Sequence, residues 1–153
     1  MAGWTNRGKY RLLGYLYRGE TLPTNLYVAL FTSASAPDAD TNTAGDLTQI
    51  ATGNGYTDGG YQLTPGATDF DVWTEDDVND RALVQVKDVV WTASGGSIPD
   101  SGSGARYAGL TDDNVTVASR EIFQYFDLTA DRQVSDGQSL TLQDIEIRLD
   151  ETS

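Results

Sequence analysis

An antiparallel β-sandwich or barrel-like domain with a short N-terminal α-helix is the fold predicted by three features of this 153-residue sequence. The first is a helical period in the opening eighteen residues, where Tyr10, Leu13 and Tyr17 fall at spacings of three and four, with Leu12 and Leu16 widening the stripe. Thr5 or Asn6 can cap its start, and Gly19 is a natural stop, which places the helix at about Asn6 to Arg18. The second is the apolar run Leu26–Thr32 after Pro23, whose β-branched and aromatic content fits a strand buried on both faces. The third is period-two alternation with frequent turn signals from Phe70 onward, giving candidate strands at Phe70–Thr74, Arg81–Thr92, Ala105–Leu110, Glu121–Leu128 and Ser139–Leu149.

Two of these candidates break their own alternation. Leu140 and Leu142 share one parity, whereas Ile145, Ile147 and Leu149 occupy the other, so a bulge or a crossing between sheets is expected near Leu142–Ile145. Val84, Val86, Val90 and Trp91 show the same irregularity around Asp88. Residues 33–60 are rich in Ala, Asp, Thr, Asn and Gly, and they read as a long contact loop or projecting arm. The expected organisation is an N-terminal arm and helix over residues 1–20, followed by one sandwich domain over 21–153.

Asp and Glu outnumber Lys and Arg by 23 to 10, a formal charge of −13. Such a surface repels phosphates and anionic lipid, so nucleic acid and membrane are not expected partners. The chain has neither Cys nor His, which removes thiolate chemistry, disulfides and the commonest base near neutral pH. No run of eighteen apolar residues and no apolar leader is seen, so folding in a cytoplasm is expected.

Carboxylates are the remaining chemical candidates. Glu75, Asp76, Asp77 and Asp80 form one group, and Asp112 and Asp113 with Asn114 form another. Oxygen-rich turns of this kind suit calcium. Asp76, Asp77, Asp80, Asp112 and Asp113 are therefore the positions to consider for a metal, although Asp and Asn also populate turns for backbone reasons alone, and that reading is preferred. The spacing fits no EF-hand, Walker loop, Rossmann fingerprint or nucleophile elbow. No catalytic residue and no cofactor are expected, and the chain is read as a non-enzyme.

Four of the ten basic residues, Arg7, Lys9, Arg11 and Arg18, lie in the first eighteen positions. Together with Trp4, Tyr10 and Tyr17 they form the expected interface, because aromatic and arginine anchors dominate buried contacts between proteins.

The order of segments carries a resemblance. The helix leads into Tyr27-Val-Ala-Leu-Phe-Thr-Ser33, then a Gly/Asp-rich stretch ending in Gly53-Asn-Gly-Tyr56, Val90-Trp-Thr92, Ala105-Arg-Tyr-Ala-Gly-Leu-Thr-Asp112, Phe126-Asp-Leu128 and Val134-Ser-Asp-Gly-Gln-Ser-Leu-Thr-Leu142. This resembles a family of small virion structural proteins of tailed bacteriophages. The resemblance implies a particle component in the virion, assembled in the host cytoplasm. Its expected role is a capsid decoration or cement protein that binds the major capsid protein or other virion subunits, with a homo-trimer as one expected arrangement. The alternatives are a tail or neck component associated with the tail tip or fibre, and a host-surface adhesin stacking glycans on Trp73 or Trp91.

Overall fold

The computed structural model describes residues Ala2–Asp150. Its strands are β1 (Ala2–Trp4), β2 (Leu26–Phe31), β3 (Tyr61–Leu63), β4 (Val72–Asp76), β5 (Arg81–Val86), β6 (Val89–Thr92), β7 (Ala105–Thr111), β8 (Ile122–Arg132), β9 (Ser139–Leu142) and β10 (Ile145–Asp150), with one α-helix, α1 (Asn6–Tyr17). A five-stranded antiparallel sheet, ordered β1-β8-β7-β2-β3, faces a three-stranded sheet, β10-β5-β4, and a two-stranded one, β6-β9. The result is sandwich-like, and none of these sheets closes into a barrel.

The core lies between the layers. Val28, Leu30, Ala108, Leu110 and Phe126 of the large sheet meet Val86, Val89, Trp91, Leu140, Leu142 and Ile145 of the two small ones. β2 is buried on both faces because both of its parities are apolar. Val28 and Leu30 enter the main core, whereas Ala29 and Phe31 join Ala44 and Ile122 in a second cluster on the other side of the sheet.

That second cluster is covered by part of the 33–60 segment, and here the expectation of a projecting arm is corrected. The Ile50 N–H donates to the Leu30 carbonyl at 3.1 Å, and Ala44 N–H to the Arg120 carbonyl at 2.9 Å. Ile50 and Tyr56 are both buried in the main core, with the Leu30 N–H donating to the Tyr56 hydroxyl at 2.9 Å. Two large apolar side chains in an otherwise polar stretch are enough to hold it down, since each loses its buried area if the loop lifts.

The parity switches are real changes of sheet. β5 and β6 are separated by Lys87 and Asp88, and β9 and β10 by Gln143 and Asp144. Val86 pairs with Ile145 on one side of this seam and Val89 with Leu142 on the other. The two segments therefore run side by side as one ribbon that turns from the two-stranded into the three-stranded sheet. Asp144 adopts φ +54° at the turn, and the Gln143 amide donates to Asp88 across it at 3.0 Å.

The N-terminus belongs to the same body as the later strands. β1 pairs with β8 in the register Ala2↔Phe126 to Trp4↔Gln124, and α1 packs across β8.

Candidate functional site

The orientation of α1 is set by two residues. Thr5 caps it, its hydroxyl accepting from the Gly8 N–H at 2.8 Å while donating to the Ile122 carbonyl. Gly8 then lies directly on β8, where an added Cβ would sit 2.2 Å from the Phe123 carbonyl oxygen. Only a residue without a side chain allows this approach. With Gly8 fixed inward, the 3.6-residue period carries Arg11, Leu12 and Tyr15 inward as well, and Tyr15 meets the Phe123 ring edge-on at 6.4 Å.

The same geometry turns the apolar stripe outward. Tyr10, Leu13 and Tyr17 are 59%, 56% and 77% exposed, and Leu16 is exposed beside them. An amphipathic stripe normally faces the core. Here the glycine side does so, leaving three large apolar residues on the far side of the helix in solvent.

The predicted basic residues divide into two groups. Arg11 is clamped by two carboxylates, donating to Glu121 Oε1 at 2.9 Å and Glu20 Oε2 at 2.8 Å. Hydrogen bonding to Glu121, then to Glu20, pushes its already high pKa further up. Arg7 lies 3.7 Å from Glu121 and stacks over Tyr10 with 5.8 Å between the guanidinium carbon and the ring centroid. Lys9 and Arg18 are exposed and make no ion pair among the described residues. Trp4 is half-buried, and its indole N–H donates to the Arg148 carbonyl at 2.7 Å.

Between α1 and the three-stranded sheet runs an apolar groove of about 400 Å³, which sequence reasoning did not find. Leu12 and Tyr15 of the helix face Val84 and Ile147 of β5 and β10 across it. Cross-strand pairing puts Trp73 of β4 in the same row as Val84 and Ile147, and that indole is 89% exposed. Trp91 is only 4% exposed and packs against Tyr56 and Tyr61, so it presents no face for a sugar.

The carboxylates of the acidic turns are engaged by donors within the protein. Asp76 accepts from Asn79 and Arg81, Asp112 from the N–H groups of Asn114 and Glu121, and Asp113 from those of Thr24 and Asn25. Burial raises the Asp112 pKa above the usual carboxylate range, partly offset by those two N–H donors. Asp77 and Asp80 line a shallow hollow at the β4–β5 tip. Among the described residues no three His, Cys, Asp or Glu side chains converge as a metal site would require.

A scan against models of known protein families, a search of curated proteins and a search of solved structures each found no match.

Proposed function

We propose that this chain is a virion structural protein that decorates and cements the capsid shell of a tailed virus, docking through the outer face of α1. The observation that carries this reading is the outward stripe of Tyr10, Leu13 and Tyr17. Aromatic residues exposed together in this way are the kind of anchor that becomes buried at a protein interface. Lys9 and Arg18 flank the stripe in a protein whose formal charge is −13, so the face is complementary to an acidic patch on the shell subunit. Arg7 and Arg11, held by Glu121 and Glu20, keep the helix rigid for that contact. Cementing needs only buried area repeated in many copies, and no bond-making chemistry.

Replacing Tyr10, Leu13 and Tyr17 together by Ser tests it. The variant should melt within about 0.5 kcal/mol of the parent, since the three side chains are mostly in solvent. Its occupancy on purified particles should fall at least about tenfold, the loss of one modest anchor. Full occupancy of the variant would sink the helix-face assignment. Labelling confined to the tail tip, at a few copies per particle, would move the protein from the shell to the tail.

The adhesin reading is favoured by one observation, the exposed Trp73. Glycan binding lost on Trp73→Ala would support it, and a blank glycan array with the parent protein would dismiss it.

A further inference from the structure

A hollow of about 490 Å³ opens between the start of β2, strand β3 and strand β6, and Arg120 forms part of its wall. This arginine is only 8% exposed, and among the described residues it makes no ion pair. A buried guanidinium normally meets a carboxylate, because a charge taken out of water is costly unless it is compensated. Neutral groups compensate this one in part. Nε donates to the Asn114 carbonyl at 3.0 Å and Nη1 to the Gly59 carbonyl at 3.1 Å, while the guanidinium carbon lies 3.7 Å from the centre of the Tyr27 ring. Gly59 holds φ +80°, and a Cβ there would collide with Nη1, so the loop closes on the fork only through a glycine.

Nη2 is the nitrogen left over. It has no hydrogen-bond partner among the described residues. It is also open to solvent, since Gln124 Oε1 is the single described side-chain atom that is both sealed and unpaired. The hollow therefore offers a rigid, charged donor with nothing to donate to. The hydroxyls around it have the opposite need. Tyr27 donates to Gln62 Oε1 at 3.1 Å and Thr57 to the Gly60 carbonyl at 3.3 Å, so each uses its proton within the protein and keeps lone pairs to accept with. Asp58, the one acidic residue of the lining, is an acceptor too, and it repels a bare anion.

We propose that this hollow binds a carboxylated sugar of the uronic acid class, whose carboxylate receives the Arg120 Nη2–H and whose ring hydroxyls donate to Thr57, Tyr27 and Asp58. The uncompensated cation calls for an anion, and the acceptors call for an anion that brings its own donors. A neutral sugar leaves the guanidinium charge unmatched, whereas a simple carboxylate leaves the acceptors unmatched and meets Asp58 unrelieved. The hollow shares no lining residue with the outer face of α1, so this site does not depend on the docking proposed there.

The test uses the whole protein with three probes, glucuronate, glucose and acetate, followed by NMR. Glucuronate is expected to shift the Arg120 Nε–H resonance saturably, and glucose and acetate at the same concentration are expected to leave it in place. Arg120→Lys keeps the charge but loses the fork, and should bind glucuronate at least about tenfold more weakly. Thr57→Val, at an exposed position, removes one acceptor without touching Arg120. It should fold whether or not Arg120→Lys does, and bind glucuronate about fivefold more weakly. Trp73→Ala should bind as the parent does, which separates this hollow from stacking on that indole. Absence of any glucuronate shift would overturn the proposal, as would glucose binding equally well or a Thr57→Val protein that binds like the parent. Acetate matching glucuronate would reduce the site to an adventitious ion only, and loss of binding in Trp73→Ala would move the sugar to β4.

Discussion

Gly8 and Gly14 sit in the same helix and make opposite predictions. A Cβ at Gly8 would press on the backbone of Phe123, which cannot move without breaking the β7–β8 register. At Gly14 the nearest atoms are the carboxyl end of Glu20, 2.8 Å away, the tip of a flexible side chain that can shift while loosening its bond to Arg11. Replacing Gly by Ala inside a helix favours folding by about 1 kcal/mol when space allows. Gly14→Ala should therefore be tolerated, whereas Gly8→Ala should lose roughly 1–3 kcal/mol to overpacking. Thermal melts of the two variants check this directly, and a Gly8→Ala protein as stable as the parent would mean that α1 does not rest on β8. The spacing of Tyr10, Leu13 and Tyr17 revealed a helix but not which side faced in, because the deciding residue has no side chain to enter a hydrophobic pattern.

At the level of the elements, legibility followed length and alternation. The helix expected at about Asn6–Arg18 forms over Asn6–Tyr17 with Thr5, one of the two cap candidates, at its start, and β2, β7 and β8 were readable as well, since each has a strong local pattern. The sheet changes at Lys87–Asp88 and Gln143–Asp144 were visible as parity breaks. β1 and β3 were not, because three residues are too few to establish a period. The Trp4–Arg148 bond and the groove join residues distant in sequence, and no local pattern can announce pairs such as Leu12 with Val84. Trp91 gave no sign of its burial, because an aromatic in a strand looks the same on either face. β4 is exposed along nearly its whole length and pairs only with β5, whereas β2 is walled in on both faces and lies between β3 and β7. Amide hydrogens of Val72–Asp76 should exchange orders of magnitude faster than those of Val28–Phe31. Comparable protection in the two strands would contradict this ordering of local stability.

For the molecule as a whole, the carboxylates and one tyrosine set the pH range of stability. Asp69 is held below the usual carboxylate range by Lys87 and then by the Thr64 N–H, Asp46 by the Thr43 N–H, and Asp127 by Arg106. A carboxylate whose folded pKa is depressed stabilises the fold above its unfolded value, about 3.9, and loses that contribution as pH falls through the folded value. Asp112 has the opposite sign, because burial makes it take up a proton more readily in the folded state. Burial also pushes the Tyr56 hydroxyl up. Its contribution is complete below the unfolded tyrosine value of about 10 and declines as pH rises beyond it. Denaturant melts should therefore show a mid-pH plateau that drops below about pH 4 and again above about pH 10. Asp69→Asn should flatten the acid limb, and an unchanged slope in that variant would remove the Asp69–Lys87 pair from the account.

The ribbon formed by residues 81–92 and 139–150 has a mechanical consequence. Both of its strands pass without interruption from the exposed β4-β5-β10 sheet into the layer containing Trp91 and Leu140. A sideways pull on the tip at Asp76–Arg81 is thus delivered along covalent backbone to the deepest packing of the protein, and is not dissipated in a hinge loop. Detaching the tip by force would require several interstrand hydrogen bonds to shear together, which gives this small domain the grip of a tenon rather than that of a flap.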